Sequence, residues 1–202
     1  KVMVDGELVL MDYCPDLGYY RCDVTRQWPV NGKFSPVQRE LYGFYLGAYE
    51  AVLYSIKPNI TARDVVKAAL PKMEKILAET KFSKPIYENA AKQFVERYRR
   101  MANPDTVAAN QRRGASLGHA VGMATHDFGG GSDVLRPGPV FSIEPELRVP
   151  EEQIYIRLED MIVITESGAQ ITSDFVPRSI DAVEKTIAES GLLQTYGRIK
   201  ER

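Results

Sequence analysis

This sequence contains few cysteines and histidines and carries almost no net charge. Each of these features argues against a class of protein. Two cysteines and two histidines occur in 202 residues, too few for a paired zinc knuckle, which needs more ligands at short spacing. A net charge of −1 without a basic block gives no support for nucleic-acid binding. No apolar run approaches the ~20 residues of a membrane span. We therefore expect neither a nucleic-acid partner nor a membrane.

The rest of the composition is that of a globular protein with one sizeable core. It is 44% hydrophobic and 26% charged, without repeats or low-complexity linkers, so we interpret residues 1–202 as one domain. The chain begins at Lys1 and enters a strand almost at once, which suggests that the N-terminal part of the fold is missing. The lack of a signal peptide is then uninformative, and the cytoplasm is taken as the default compartment.

The stretch Gly6–Arg26 predicts a β-hairpin, because an apolar run and a second run of strand formers flank a cluster of turn residues. If the turn is centred between Leu17 and Gly18, Asp12 lies directly opposite Asp23, with Cβ atoms ~5 Å apart. Two carboxylates that close repel each other unless a proton or a cation lies between them. The hairpin therefore raises the question of what neutralises this pair.

Both cysteines also lie in the hairpin. In the same register Cys14 shares a face with Asp12, whereas Cys22 points to the other face. Their Cβ vectors then diverge, which disfavours a disulfide. We expect two reduced thiols.

Three helices are predicted after the hairpin, and capping residues mark the first two starts. Ser35-Pro36-Val37-Gln38 is a capping box with proline at the first helical position, and its helix should run to about Ile56. Thr61 opens a second helix, which Pro71 ends or kinks, and a continuation over Lys72–Thr80 stays open as the alternative to an end there. The third amphipathic helix covers Tyr87–Met101.

The second half of the chain is rich in strand signals. Pro139–Pro145 and Ile154–Thr165 are rich in β-branched residues, Ser167-Gly168 is a turn between strands, and a last helix covers roughly Ile180–Ser190. The order of strand pair, helices, strands and helix predicts an α+β fold with antiparallel pairing.

Four further residues stand out chemically. His119 and His126 are the only histidines, and both lie in the glycine-rich segment SLGHAVGMATHDFGG. Glu144 and Glu159 lie in apolar, strand-like settings, where a buried carboxylate is avoided unless it is paired or ligates a metal. Taken alone, each glutamate is more simply read as facing solvent on a half-exposed strand, and a lone histidine is more often structural.

Taken together, the carboxylates and one histidine form a set of metal donors. Four carboxylates and one imidazole suit divalent Mn, Co, Fe or Zn. One ion would not require so many negative charges, whereas two ions a few Å apart would, with some carboxylates bridging both. The predicted donors are Asp12, Asp23, His119, Glu144 and Glu159.

Four segments resemble the catalytic domain of the pita-bread metallopeptidases, in the branch of aminopeptidase P and prolidase. That family shows Asp, a second Asp eleven residues later within Asp-x-Thr-Arg, then Gly-His-x-x-Gly, Ile-Glu-Pro, and Glu-Asp before a strand and a Thr-Glu-x-Gly turn. All five ligand positions are present here in that order. The matching segments are DYCPDLGYYRCDVTRQWPVNGKFSPVQRELY, GHAVGMATHDFGG, FSIEPEL and IRLEDMIVITESG.

The resemblance implies a fold with a curved antiparallel sheet, helices on its outer face, and two divalent ions. Manganese is the first candidate, with cobalt, zinc or iron as alternatives. Asp12 would bind one ion, and His119 with Glu144 the other. Asp23 and Glu159 would bridge both.

The resemblance also implies roles in hydrolysis. A hydroxide bridging the two metals would be the nucleophile, and Glu144 would carry its proton to the leaving nitrogen. His126 would hydrogen-bond substrate and stabilise the tetrahedral intermediate. Arg157 would support the ligands or contact a substrate carboxylate. Thr25 would also support the ligands, and Arg26 would do so or be structural.

The sequence departs from the family pattern at three places. Ala115 stands where relatives usually carry a histidine four residues before the ligand histidine. Glu146 stands where glycine commonly follows Ile-Glu-Pro, and Tyr13-Cys14 replaces the common Ala-Gly. These changes leave the donor set intact and bear on substrate choice.

The resulting hypothesis is a metallo-aminopeptidase that cleaves an N-terminal residue from a following proline. A peptide with proline at its second position would be the substrate, and a homodimer is expected. Three alternatives stay open: a prolidase restricted to Xaa-Pro dipeptides, a metal-dependent lyase on the same fold, and a non-catalytic binding module. Retention of all five ligands argues against a metal-free enzyme of the creatinase type.

Overall fold

The computed structural model describes residues 2–103, 117–128 and 134–196. The first half contains four strands and three helices: β1 Leu8–Tyr13, β2 Asp16–Leu17, β3 Tyr20–Arg21, β4 Val24–Pro29, α1 Pro36–Leu53, α2 Ala62–Glu79 and α3 Pro85–Ala102. The described part of the second half contains six strands and two α-helices: β5 His119–Ala120, β6 Val140–Ile143, β7 Glu146–Val149, β8 Ile154–Arg157, β9 Asp160–Thr165, β10 Gly168–Ile171, α4 Ile180–Ile187 and α5 Leu192–Tyr196.

The helix starts follow from their caps. Ser35 accepts from the backbone N–H of Gln38, and the side chain of Gln38 accepts from the N–H of Ser35, which completes the predicted capping box. Thr61 and Asp64 form the same reciprocal pair at the start of α2.

The extents of the helices differ from the predicted ones by a few residues. The first ends at Leu53, before the predicted Ile56. The third covers Pro85–Ala102 instead of Tyr87–Met101, and the last ends at Ile187 instead of Ser190. The second does not end at Pro71 but continues to Glu79, which agrees with the alternative of a continuation over Lys72–Thr80. Its buried face includes Ala69 and Met73, one on each side of the proline, and packing of that face against α1 and α3 carries the helix through the proline.

The hairpin forms, but its register differs from the predicted one. Asp12 pairs with Thr25, not with Asp23. The turn consists of Gly18 and Tyr19, with φ of 58° and 71°, because Leu17 pairs with Tyr20. Two consecutive positive φ angles are the geometry of a tight hairpin loop, and only glycine adopts the first without strain. Moving the turn centre by one residue along the chain shifts the residue opposite Asp12 by two positions, from Asp23 to Thr25.

All described strand pairs are antiparallel. The largest sheet has the order β10-β9-β6-β5, and β1-β4, β2-β3 and β7-β8 form separate pairs. Helices α1, α2 and α3 pack on one another, and α3 also packs on β7. The core lies between these layers, where Tyr45, Phe94 and Ile156 are among the fully buried side chains. The predicted α+β class with antiparallel pairing is confirmed.

The predicted strand over Ile154–Thr165 is two strands. β8 pairs with β7, whereas β9 pairs with β6. Between them the N–H of Glu159 donates to the carbonyl oxygen of Thr25 at 3.1 Å. The chain therefore changes its partner strand, from β7 to β6, at Leu158 and Glu159. This break positions Glu159, one of the predicted donors. Within the described ranges, no helix has the length and apolarity needed to cross a membrane.

Candidate metal centre

The hairpin brings three donor atoms together. Asp12 lies in β1 and Asp23 directly precedes β4. One oxygen from each and the sulfur of Cys14 all lie within 4.8 Å of one another. Side chains alternate along a strand with period two. The two-residue change of register therefore keeps Asp12 and Asp23 on a common face, as the sequence predicted.

His119 lies at the centre of the cluster. Its Nε2 is 3.5 Å from Asp23 Oδ2, 3.3 Å from Glu144 Oε1 and 3.6 Å from Glu159 Oε1. On the other side of the ring, Nδ1 lies 3.3 Å from the carbonyl oxygen of Ala120. Contact of one ring nitrogen with a carbonyl leaves the other free to face donors or a metal.

The backbone before His119 requires glycine. His119 pairs with Ser142 across β5 and β6, and a Cβ at Gly118 would lie 1.7 Å from the carbonyl oxygen of Ser142. Real side chains cannot approach that closely, so Gly118 is what allows β5 to reach β6. The Ser142 hydroxyl also lies 2.9 Å from His119 Nε2, a contact that no sequence signal predicted.

Glu159 is the most deeply buried of the five predicted donors, with 1% of its side chain exposed. Its Oε2 accepts from the Thr25 hydroxyl at 3.0 Å, but its Oε1 has no hydrogen-bond partner among the described residues. Burial, together with the nearby carboxylates of Asp23 and Glu144, raises the pKa of Glu159 to about 7, although hydrogen bonds from Ser142 and Thr25 act in the opposite direction. A buried carboxylate oxygen without a partner is costly, and a cation bound there would remove that cost.

Glu144 follows β6 and is tied to the hairpin by Arg157 at the end of β8. The Arg157 guanidinium donates to Glu144 Oε2 at 2.7 Å, to Asp12 Oδ2 and to the Thr25 hydroxyl at 3.2 Å. The family resemblance implies that Arg157 supports the ligands or contacts a substrate carboxylate, and in the structure it forms ion pairs with two of the predicted donors, Asp12 and Glu144. One positive charge here partly compensates the carboxylate cluster.

His126 lies at the open side of the cluster. Its ring centroid is 4.2 Å from that of His119, at an interplanar angle of 89°. The Asp127 carboxylate accepts from the N–H groups of Met123 and Phe128, each at 2.7 Å, and this closes the loop that returns His126 to His119. His126 is exposed, which suits a side chain that meets a substrate.

A buried ion pair between Arg26 and Asp160 supports the two segments that carry Asp23 and Glu159. Arg26 Nη2 lies 2.5 Å from Asp160 Oδ1, and its Nη1 donates to the carbonyl oxygens of Thr25 and Glu159 at 2.9 and 2.7 Å. Asp160 also accepts from the hydroxyl of Tyr49 at 2.8 Å. The guanidinium therefore links the two segments that carry Asp23 and Glu159, and every oxygen of the buried Asp160 has a partner.

Tyr45 is a supporting residue that the sequence analysis missed. Its hydroxyl accepts from the N–H of Leu158 at 2.8 Å and donates to the carbonyl oxygen of Pro145 at 2.6 Å. These backbone groups belong to the neighbours of Glu159 and Glu144. Tyr45 is fully buried, and its helical spacing indicates only a core residue, so no sequence signal could separate it from its apolar neighbours.

The three positions at which the sequence departs from the family pattern differ in their relation to the donor cluster. Ala115 is outside the described residues. Glu146 accepts from Arg148 at 2.7 Å and from the Tyr155 hydroxyl at 3.1 Å, and it belongs to none of the donor groups among the described residues. Cys14 lies inside the cluster, and both cysteines are free thiols, as predicted.

The donor set fits divalent metal ions. The described residues contain two groups that join carboxylates to His119: one includes Asp23 and His126, and the other includes Glu144 and Glu159. Oxygen and imidazole donors suit Mn, Fe, Co and Zn. The buried Oε1 of Glu159, which has no hydrogen-bond partner among the described residues, is the feature that most directly indicates a cation site.

Antiparallel strands that bring carboxylates and an imidazole to one space, with helices behind them, form a scaffold suited to a metal-dependent hydrolase. The chain belongs to metallopeptidase family M24, because the model of that family matches residues 1–166. The pita-bread fold predicted from the sequence is confirmed by the structural neighbours, which are aminopeptidases P.

Three similar proteins illustrate the relationship. Xaa-Pro aminopeptidase 2 of Streptomyces coelicolor is 33% identical over 91% of this chain and 40% of its own length. The mitochondrial intermediate cleaving peptidase 55 of Arabidopsis thaliana is 32% identical over 89% of this chain and 34% of its own. The solved proline aminopeptidase P II of Yersinia pestis superposes with a TM-score of 0.65 and 32% identity, covering 91% of this chain and 42% of its own. The chain thus spans well under half of each of these relatives.

Proposed function

We propose that this chain is the catalytic part of a metallo-aminopeptidase that removes an N-terminal residue from a following proline, with two divalent ions at the candidate centre. The observation that carries the proposal is the convergence of His119 Nε2 with three carboxylates at 3.3–3.6 Å, one of which keeps a buried oxygen without a hydrogen-bond partner. Membership of a metallopeptidase family and similarity to Xaa-Pro aminopeptidases support it.

The five donors divide between two ions in the proposal. Asp12 would hold one ion, and His119 with Glu144 would hold the other. Asp23, in the hairpin, and Glu159, directly before β9, would contribute to both, and each already lies within 3.6 Å of His119 Nε2. When bound, the ions would supply a hydroxide at neutral pH, bridging them, and a Lewis acid for the scissile carbonyl.

The side chains around the ions would handle protons and orientation. Glu144 is partly exposed and can pass a proton to the leaving nitrogen. His126, exposed beside His119, would donate a hydrogen bond to the substrate and stabilise the tetrahedral intermediate. Arg157 would orient Asp12 and Glu144 through its two contacts. Manganese is the first candidate for the metal, with cobalt, zinc and iron as alternatives.

The first experiment measures metal content and peptide cleavage together. We expect up to two divalent ions per chain after reconstitution, and release of the first residue from Xaa-Pro-Xaa peptides. Cleavage of Xaa-Pro dipeptides alone would replace the proposal with a prolidase. Bound metal without cleavage of either peptide would favour a lyase, and well under one ion per chain would favour a binding module.

Replacement of Glu144 by glutamine tests the proton role. The variant Glu144→Gln should lose most turnover, since general acid–base catalysis contributes roughly 100- to 10,000-fold, while still binding metal. Glu146→Gln is the matched control, because Glu146 pairs with Arg148 and Tyr155. Full turnover in Glu144→Gln with unchanged metal content would refute the assigned role.

Substrate, assembly and compartment are further parts of the proposal. A peptide with proline at its second position would be the partner, residues 1–202 would form a catalytic domain, and the working unit would be a homodimer in the cytoplasm. Size-exclusion chromatography with light scattering tests the dimer. Fluorescent tagging of the whole protein in its native cell tests the compartment.

A further inference from the structure

Cys14 lies among the donors on the hairpin side of the centre. It follows β1 directly, and its sulfur is 2.9 Å from Asp23 Oδ1 and 4.0 Å from Asp12 Oδ1. Extending the β1–β4 register by one residue places Cys14 opposite Asp23. The thiol therefore points to the same side as both carboxylates, and the three ligand atoms fall within a span of 4.8 Å.

A second observation points to a ligand in this space. Asp23 joins two halves of the cluster, because its Oδ1 meets the Cys14 sulfur and its Oδ2 lies 3.5 Å from His119 Nε2. Glu159 Oε1 reaches the same histidine nitrogen at 3.6 Å, with only 1% of its side chain exposed. This oxygen has no hydrogen-bond partner among the described residues, so a cation is the occupant that best satisfies it.

We propose that Cys14 is a thiolate ligand of the ion held by Asp12 and Asp23. The inference rests on the proposed metal centre and adds a donor to it. A cysteine sulfur binds a metal ion as a thiolate, so coordination would release to solvent the thiol proton that Cys14 donates to Asp23.

The consequence is a change in metal preference. Carboxylate oxygens suit manganese, whereas a thiolate favours softer ions such as zinc, cobalt and cadmium. A site with two carboxylates and one thiolate should therefore favour zinc and cobalt over manganese more strongly than the two carboxylates alone would.

Cobalt spectroscopy tests the proposal directly. We expect the chain titrated with Co²⁺ to show a sulfur-to-cobalt charge-transfer band in the near ultraviolet. The variant Cys14→Ser should lose that band and keep the visible d–d bands. Cys22→Ser is the matched control, since Cys22 is the other free thiol and lies outside the described donor groups, and it should keep both.

The outcomes separate this inference from the proposed function. Visible d–d bands without a charge-transfer band would overturn the thiolate and leave the metal centre in place, and so would a band that survives in Cys14→Ser. A chain that takes up no cobalt, by equilibrium dialysis and elemental analysis, would overturn both.

A measurement on the unaltered chain covers the case in which the variant does not fold. Alkylation with iodoacetamide, read by mass spectrometry, should label Cys14 roughly tenfold more slowly when Zn²⁺ is bound, and should label Cys22 at the same rate with and without the ion. Equal labelling of Cys14 in both states would overturn the proposal. In competition, the preference for Cd²⁺ over Mn²⁺ should fall about tenfold in Cys14→Ser, which corresponds to about 1.4 kcal/mol.

Discussion

Replacement of Tyr45 by phenylalanine tests whether α1 positions the two glutamates of the centre. The change removes only the hydroxyl, which accepts from the N–H of Leu158 at 2.8 Å and donates to the carbonyl oxygen of Pro145 at 2.6 Å. Leu158 is fully buried, so its N–H would be left without a partner. An unpaired buried donor costs roughly 1–3 kcal/mol, and the carbonyl adds to this. We expect a loss of about 2 kcal/mol, or roughly 4–8 °C in Tm for a chain of this size.

The same change should weaken metal binding. Tyr45 bonds to Pro145, which follows Glu144, and to Leu158, which precedes Glu159. Without these bonds the backbone at both places can move, and the carboxylates of Glu144 and Glu159 move with it. Loss of a residue that orients a ligand typically costs about 10–100-fold in metal affinity. Thermal unfolding in chelator measures the first effect, and calorimetric titration with Zn²⁺ measures the second.

Tyr42→Phe is the matched control for this prediction. Tyr42 is also a buried tyrosine of α1, and its hydroxyl donates to the carbonyl oxygen of Arg178 at 2.7 Å. Its removal should cost about 1 kcal/mol and leave the affinity for Zn²⁺ unchanged. If Tyr45→Phe binds Zn²⁺ as tightly as the parent chain, or if both variants weaken binding equally, Tyr45 does not position the glutamates.

Two further predictions concern backbone approach and pH. In Gly118→Ala the new methyl carbon would lie 1.7 Å from the Ser142 carbonyl oxygen. The backbone must then move at a cost of about 1–3 kcal/mol, and a drop in both Tm and Zn²⁺ affinity should follow; an unchanged affinity would show that β5 tolerates the shift. The Glu184 carboxylate accepts from the N–H of Phe34 and from Lys33, and these contacts hold its pKa below the ordinary 4.5. Because its pKa is lower in the folded chain, its stabilising effect is present above pH ~4.5 and is lost as the pH falls through the folded value. Urea unfolding of Glu184→Gln should therefore show a weaker loss of stability on acidification than the parent chain, and equal acid sensitivity would contradict the assignment.

Local signals in the sequence were sufficient to predict where the first two helices begin. The caps at Ser35 and Thr61 are short-range patterns in which a side chain bonds a backbone group three residues away, and both helices begin at the residue after the predicted cap. The α+β class and the antiparallel pairing also followed from the order of strand and helix signals. The candidate donors were predicted from residue types in unexpected settings, as with Glu159 in an apolar run, and from the resemblance of the segments to a family.

The tertiary structure decided what depends on distant parts of the chain. The hairpin register depends on the position of the turn. The turn lies at Gly18 and Tyr19, one residue later than predicted, so the residue that pairs with Asp12 is Thr25 and not Asp23. Side-chain alternation kept both carboxylates on one face, so this error did not separate them.

The contacts around the donors were likewise invisible in the sequence. The break at Glu159 exists because β8 and β9 choose different partners, β7 and β6. Tyr45 bonds to backbone that lies 100 and 113 residues further along the chain. The sequence by itself predicted a set of candidate metal donors and determined where the first two helices begin, because residue types and caps are local signals. Only the folded chain decided which atoms meet, including the Cys14 sulfur and Asp23, because each such contact depends on the packing of segments that the sequence alone does not orient.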